Sequence, residues 1–358
     1  MKIAVDAMGG DYAPAVVMEA IQSVLKEIPD VEILLVGHKE KLSYYMEKMN
    51  LVPSDRLELV HAETVVEMSD PSTAAIRAKK NSSITVCATL VAEGKADAVA
   101  SAGHTGAAVA ASKVKMRMVD GVDRPCIGSI MPNLTGKWIL ADAGANTDCT
   151  PLNLAQFAVM GELYAKLGLG IENPKIGLLS VGGEDIKGNE LTKETFKILS
   201  KMPINFIGNV EGHDTFTGEC DVVVCDGVVG NVLLKTSESL ATATIHWLKE
   251  VLMKNAMRKI GATLAQSAFR ELKQYGDSDE YGGAPLLGLN GVCIIGHGGS
   301  TPKAVKNAIR VANEFARLKM PQLVSRRIYE CGVDKASFAA KYGHPSSSDD
   351  KHTTGLAH

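Results

Sequence analysis

Six stretches of the chain set glycines beside hydroxyl, amide, imidazole or carboxylate side chains. They are Asp6-Ala7-Met8-Gly9-Gly10-Asp11, Ser101-Ala102-Gly103-His104-Thr105-Gly106, Asp142-Ala143-Gly144-Ala145-Asn146-Thr147, Gly182-Gly183-Glu184-Asp185-Ile186-Lys187-Gly188-Asn189, Asp226-Gly227-Val228-Val229-Gly230-Asn231 and Gly296-His297-Gly298-Gly299-Ser300-Thr301. Each follows a short apolar run and precedes a helical pattern, so each reads as a turn from strand into helix. The first N–H groups of a helix have no partner inside it, and that end carries partial positive charge. The combination favours an anion, phosphate above all. The clearest case is Ala96 to Ala110, where a strand of small residues breaks at Ser101-Ala102-Gly103 and an Ala-rich helix continues to about Met118. Gly103 and Gly106 permit close backbone approach to a ligand, and Ser101 and Thr105 add hydroxyl donors. One such turn is ordinary in an α/β protein; the recurrence is what points to an anion site.

The elements that must position these turns follow the same alternation. Lys2 to Asp6 reads as a first strand rather than a signal peptide, because an acidic residue and glycines follow at once. Further strands are expected at Val31–Val36, Leu57–Val60, Cys126–Met131, Trp138–Ala141, Lys175–Val181, Asp221–Cys225 and Val292–Ile295, with an edge-like segment at Phe206–Gly212 that contains Asn209. Helices are expected from about Pro14, over Lys39–Met49, from Met68-Ser69-Asp70-Pro71-Ser72, from Ser82-Ser83 to Gly94, and over Pro151–Leu167 and Leu191–Ser200. A long helical region is expected over Val232–Gln274 and a last helix over Pro302–Leu318. Strands alternating with helices imply a three-layer α/β/α fold on a mainly parallel sheet. In such sheets ligands bind beyond the carboxyl ends of the strands. If all six turns point to one edge, they make a broad cleft of donors. One catalytic domain is expected over 1–335, with a helical tip at about 237–275 and a polar, disordered tail at 336–358.

Composition narrows the chemistry. The chain has 358 residues, 46% of them apolar, and a net charge of −3, with no Arg-rich tail or aromatic–basic run that would suit nucleic acid. No apolar run reaches the roughly 18 residues of a membrane span. The seven cysteines are scattered without a CxxC pair, which suits a reduced, cytoplasmic setting. Lys187-Gly188 is followed by Asn189-Glu190 rather than by the residues of a nucleotide P-loop. GxGxxG, GxSxG and HExxH are missing, which disfavours dinucleotide, α/β-hydrolase and zinc-protease chemistry. The acidic turn residues Asp6, Asp142, Glu184 and Asp226 are read as organisers of local hydrogen bonds rather than as metal ligands, and no metal or cofactor is expected.

Taken in order, Val5-Asp6-Ala7-Met8-Gly9-Gly10-Asp11, Ser101–Ala107, Asp142–Asn146, Gly208-Asn209-Val210-Glu211-Gly212, Cys225–Asn231, Tyr281-Gly282-Gly283-Ala284-Pro285-Leu286-Leu287-Gly288 and His297-Gly298-Gly299-Ser300 closely resemble the PlsX family of phosphate acyltransferases. The likeness runs from Met1 to about Leu318. His104 and Gly299 depart from it, standing where Asn and Ser are expected. The resemblance implies a homodimer related in fold to the isocitrate dehydrogenases and phosphotransacetylases. It implies transfer of a fatty acyl group from acyl carrier protein to inorganic phosphate, giving the acyl phosphate that opens bacterial phospholipid synthesis. It also implies a cytoplasmic protein associated peripherally with the membrane and linked functionally to the membrane acyl-phosphate:glycerol-3-phosphate acyltransferase. Alternatives are a phosphotransacetylase acting on CoA thioesters and a non-catalytic membrane-associated scaffold.

Phosphate is already an anion, so this reaction needs positioning and oxyanion donors more than a strong base. Asp6, Gly9, Gly10, Ser101, Gly103, His104, Thr105, Gly106, Asp142, Gly144, Asn146, Glu184, Asn209, Asp226, Gly227, Gly230, Gly298 and Ser300 are the candidate phosphate and substrate contacts. Asn231 joins them as a catalytic candidate. The departing thiolate benefits from a proton, for which His297 and Lys187 are the candidates; His297 reads equally well as a structural group at a strand end. Arg77, Lys79 and Lys80 either face solvent or meet the acidic carrier. Within Lys254–Lys273, Met257, Ile260, Leu264 and Ala268 form an apolar stripe, and Lys254, Arg258, Lys259, Arg270 and Lys273 stand against Glu271 alone. A basic amphipathic segment in an acidic chain suits an anionic membrane surface; a dimer partner or the carrier are its other possible occupants.

Overall fold

The computed structural model describes residues 1–67, 69–70, 76–275 and 278–342. Eleven strands form one sheet: β1 (Lys2–Asp6), β2 (Glu32–Gly37), β3 (Leu57–His61), β4 (Ala98–Ser101), β5 (Cys126–Pro132), β6 (Lys137–Ala141), β7 (Ile176–Leu179), β8 (Phe206–Val210), β9 (Val222–Val224), β10 (Ala284–Leu287) and β11 (Val292–Ile295). Side chains alternate across the strands, so period-2 neighbours enter opposite layers. Ile3 and Val5 pack with Val17, Ile21 and Ile309 in one core cluster. Ala4, Leu34 and Val36 pack with Ile84, Cys87 and Ala111 in the other. The fold is the expected α/β/α, helices covering a mainly parallel sheet on both faces.

The strand order is β3-β2-β1-β4-β11-β10-β5-β6-β9-β7-β8. β3, β2, β1, β4 and β11 run parallel to one another. β6, β9, β7 and β8 form a second parallel group. The hairpin turn at Asn133–Gly136 makes β6 antiparallel to β5, and β10 is antiparallel to both β11 and β5. The two parallel groups therefore run in opposite directions. β10 joins them, pairing with β11 through Ala284 and Pro285 and with β5 through Leu286 and Leu287.

This corrects the expectation of a single cleft. The turns after β1, β4 and β11 lie at one edge of the sheet, and the turns after β6, β7 and β9 lie at the other. The register agrees: Asp142 bonds to Ile127, Ile127 pairs with Leu286, and Leu286 precedes the loop that leads to the beginning of β11. One hairpin reverses the chain, and the parallel crossovers that follow carry the new direction through β7, β8 and β9.

Three helical expectations also change. The long region begins at Gly227, since Asp226 Oδ1 accepts from Val228 N at 2.9 Å and from Val229 N at 3.0 Å and so caps the helix Gly227–Leu252. It breaks after Leu252, where Asn255 caps the next helix, Ala256–Leu264, which is followed by Gln266–Tyr275. The boundary of the polar tail at 336 falls inside the helix Lys335–Tyr342, whose Phe338 is buried and pairs with Tyr342 at 4.9 Å between ring centroids. Residues 343–358 lie outside the described residues, as do Met68, Pro71 and Ser72 of the helix start expected there.

The helix Gly227–Leu252 begins against the Asp142 turn with no room to spare. A Cβ at Gly230 would fall on the Asp142 carbonyl oxygen, and one at Gly227 would lie 2.4 Å from the Asn146 carbonyl oxygen. Gly230→Ala is expected to destabilise the protein by about 1–3 kcal/mol through overpacking against backbone. Gly183→Ala, where nothing lies within 4 Å, is expected to be neutral. Urea unfolding of the two variants checks this.

Candidate active site

At the first edge three turns touch through their backbones. Asp11 N donates to Gly298 O at 2.8 Å. Gly10, at φ +109°, has its missing Cβ 3.1 Å from Gly298 O and 3.2 Å from Ala102 O, so a side chain there would be strained and crowded. A Cβ at Gly9 would lie 2.7 Å from Asp6 Oδ2 and 2.8 Å from Gly103 N. Asp6 is buried beneath these turns. Its Oδ1 accepts from Met8 N at 3.2 Å, and its Oδ2 accepts from Ser101 Oγ at 2.8 Å. Burial pushes the Asp6 carboxyl up, and hydrogen bonds from Ser83, Ser101, Met8 and Gly9 pull it partly back.

The helix Thr105–Met116 starts from this edge. His104 is its cap: the imidazole Nδ1 accepts from Ala107 N at 3.2 Å. An accepting Nδ1 carries no hydrogen, so the neutral ring holds its proton on Nε2. Thr105 and Gly106, in the first turn, have N–H groups without intrahelical acceptors. His297 repeats the arrangement, its Nδ1 accepting from Gly299 N at 3.2 Å while the ring is exposed. Thr301 caps the helix Pro302–Arg317 and donates its hydroxyl to Asp279 at 2.7 Å. Beside these turns lies a small recess lined by Asp6, Gly9, Val65, Ser83, Gly103 and His104.

The second edge is organised around Asp142, which is fully buried. Its carboxylate accepts from Ile127 N, Gly144 N, Ala145 N and Asn146 N at 2.9–3.2 Å, and from Asn146 Nδ2 at 2.8 Å. Burial pushes this carboxyl up as well, opposed by those donors. Asn231 packs on Gly144, its Cβ 3.3 Å from the ideal Cβ position there. At the same edge Asn209 Nδ2 donates to Glu184 O at 2.8 Å in the exposed loop that carries Lys187. Burial pushes the Cys126 and Cys225 thiols well up and Cys149 to about 12, so none of them is a thiolate nucleophile near neutral pH.

The structure thus unites Asp6, Gly9, Gly10, Ser101, Gly103, His104, Thr105, Gly106, His297, Gly298 and Ser300 at one edge. It gathers Asp142, Gly144, Asn146, Glu184, Lys187, Asn209, Asp226, Gly227, Gly230 and Asn231 at the other. Two further expectations change. The Ser101 hydroxyl is committed to Asp6, so it is not free to donate to a ligand. Lys79 is half-buried and bonded to Asp70 at 2.6 Å and to Val65 O at 2.8 Å, so it braces its own loop rather than meeting a carrier. Its hydrogen bond, aided by Glu67 N, holds the Asp70 carboxyl below the usual range. Sequence reasoning missed Ser83: it marks a helix start, but nothing in its spacing announces contact with Asp6.

The model of a family described as "Fatty acid synthesis protein" matches residues 1–323. The chain belongs to that family. It is 47% identical over 334 residues to a phosphate acyltransferase of Pelobacter propionicus, covering 93% of this chain and 96% of that one. It is 50% identical over 317 residues to a phosphate acyltransferase of Desulfitobacterium hafniense, covering 88% and 93%. Among solved structures, the EutD phosphotransacetylase from Staphylococcus aureus superposes with a TM-score of 0.56 at 19% identity, covering 88% of this chain and 94% of that one. A phosphotransacetylase from Streptococcus pyogenes gives 0.55 at 19% identity, with 92% and 94% covered. At that identity the likeness concerns the fold. As a member of the family the chain is an acyltransferase.

The cap geometry yields a test of His104 in this acyltransferase. Asn is among the best cap residues and presents an acceptor in place of Nδ1 and an N–H donor in place of Nε2. His104→Asn is expected to keep most acyl-transfer activity and stability, whereas His104→Leu, which removes the cap, is expected to cost about 1 kcal/mol of stability. Thermal unfolding together with acyl-transfer rates checks both.

Proposed function

We propose that the chain transfers a fatty acyl group from acyl carrier protein to inorganic phosphate, forming the acyl phosphate that begins phospholipid synthesis. The observation that carries this reading is the start of the helix Thr105–Met116, where the N–H groups of Thr105 and Gly106 have no intrahelical acceptor and the Thr105 hydroxyl and the His104 Nε2–H lie in the same turn. A phosphate oxygen attacks the thioester carbonyl and a C–O bond forms. The tetrahedral oxyanion collapses, the C–S bond breaks, and the carrier thiolate takes a proton. At the first edge His297 suits the departing sulfur: the turn occupies Nδ1, so the Nε2–H is free to donate a hydrogen bond to the thiolate, whose proton is the one that the attacking hydrogen phosphate gives up. Lys187 and Asn231 lie at the opposite edge of the same protomer, so they are not its partners within one chain.

Two surfaces support the wider reading. Along the helix Gly227–Leu252, Val229, Leu240, Trp247 and Val251 stay 43–58% exposed, a seam that suits the same helix of a second copy. At the tip, Met257, Ile260 and Leu264 are 78%, 58% and 81% exposed beside Arg258 and Lys259, which suits an anionic membrane surface. No described helix is long and apolar enough to cross a membrane, so contact would be peripheral, where a membrane acyltransferase can take up the acyl phosphate.

Incubation with acyl–acyl carrier protein or acyl-CoA and phosphate, followed by hydroxylamine trapping, is expected to give acyl hydroxamate, fastest from the carrier thioester. A preference for CoA would favour a phosphotransacetylase, and no product would leave a scaffold. Thr105→Pro tests the phosphate site itself. Proline is tolerated at the first helical position, and His104, at ψ 112°, already has the extended backbone that must precede it. The substitution removes one N–H and one hydroxyl, so the phosphate KM is expected to rise while the far-UV spectrum stays unchanged. For the tip, Ile260→Asp with Leu264→Asp is expected to stop flotation with anionic liposomes and leave activity and dimer intact. A split dimer would assign the stripe to the subunit interface instead.

A further inference from the structure

Asp6 cannot serve the phosphate site by touching phosphate. It is buried, it is an acceptor only when ionised, and a second anion beside it would be repelled. Its contacts run instead to the elements that shape the site. Oδ1 takes Met8 N and so sets the turn that ends β1. Oδ2 takes the Ser101 hydroxyl at 2.8 Å, and Ser101 Oγ, its single hydrogen committed, accepts from Gly103 N at 3.1 Å. Gly103 precedes the cap His104, so this relay sets where the helix Thr105–Met116 begins. Ser83, buried at the start of its own helix, also helps to hold this carboxylate ionised.

The two turns also interlock sterically. A Cβ at Gly103 would lie 3.1 Å from Gly9 Cα and 3.3 Å from Ser101 Oγ. Gly103→Val would therefore press on this relay as well as on any ligand, and cannot tell blocked approach from a displaced turn.

We infer that Asp6 is a positioning residue, acting through the Ser101 hydroxyl and Gly103 N–H to hold the N–H donors of Thr105 and Gly106 in register for phosphate. The inference rests on the phosphate site proposed above. It removes Asp6 and Ser101 from the set of direct phosphate ligands and gives them one joint task. Asn at position 6 would keep the shape but retain one acceptor oxygen, so its NH2 would face either Ser101 Oγ or Met8 N–H. In the first case the relay loses its fixed sense, and in the second the turn that ends β1 loses its bond and shifts against Gly103; an error of about 1 Å in placement costs up to roughly 10²-fold in rate.

The experiment measures KM for phosphate, KM for the acyl thioester and kcat in Asp6→Asn, Ser101→Ala and the double variant. Each single substitution is expected to raise the phosphate KM by about tenfold or more and leave the thioester KM unchanged. The double variant is expected to be no worse than the worse single one, since both break the same relay. Three results would overturn the inference. A lower phosphate KM in Asp6→Asn would mean that its charge acts on phosphate directly. Effects that multiply in the double variant would mean independent roles. A lower melting temperature with no change in phosphate KM would mean a purely structural part. Ser101→Ala carries the test alone should Asp6→Asn not fold. Thr105→Pro keeps the two readings apart: if it leaves the phosphate KM unchanged the site is misplaced, whereas if it alone raises that KM only the positioning role falls.

Discussion

A carboxylate buried at the end of a strand must be surrounded by donors, and this need shapes both edges of the molecule. Transfer of an unpaired carboxylate out of water is far too costly to survive in a folded protein. Asp6 and Asp142 meet the cost with N–H and O–H groups drawn from the turns that follow their strands. To supply those donors the backbone must fold back over the carboxylate, which brings neighbouring turns within backbone contact and leaves glycine at Gly9, Gly227 and Gly230.

At the two edges this solution serves different ends. Around Asp142 the donors close on the carboxylate so completely that the turn becomes a socket for the start of the helix Gly227–Leu252. That helix then leaves the core and exposes apolar side chains along much of its length. Around Asp6 the donors are fewer, a side-chain relay replaces part of the backbone, and a recess remains in front of His104. The second edge is built as an anchor, whereas the first leaves a helix start open, which is why we propose the phosphate site there.

Much of this was legible in residue order. The apolar runs of β1, β2, β4 and β9, the hairpin around Asn133–Gly136 and the edge character of β8 follow from period and turn chemistry, which are local. The reading of Asp6, Asp142 and Asp226 as organisers of hydrogen bonds is local too, because each carboxylate accepts from at least one N–H group within three residues. The helix Gly227–Leu252 starts earlier than its apolar pattern suggests, because Val228 and Val229 look like strand residues and the Asp226 cap outweighs that preference. Phe338 lies in a stretch that reads as polar, and its burial in the core appears only in the fold.

What residue order determined by itself is the set of elements and the chemistry at their ends: which turns carry glycine, which carboxylates need donors, and which helix starts offer N–H groups to an anion. Those are properties of a few adjacent residues. Which ends meet was decided only by the tertiary structure. The hairpin between β5 and β6 reverses the chain, the parallel crossovers preserve that reversal, and β10 stitches the two halves antiparallel. Strand direction in a sheet is set by pairing between residues distant in sequence, so six similar turns divide into two groups of three that the one-dimensional pattern cannot tell apart. Likewise, the Ser101 hydroxyl is a free donor in the sequence and a committed one in the fold, because its acceptor lies 95 residues away on another strand.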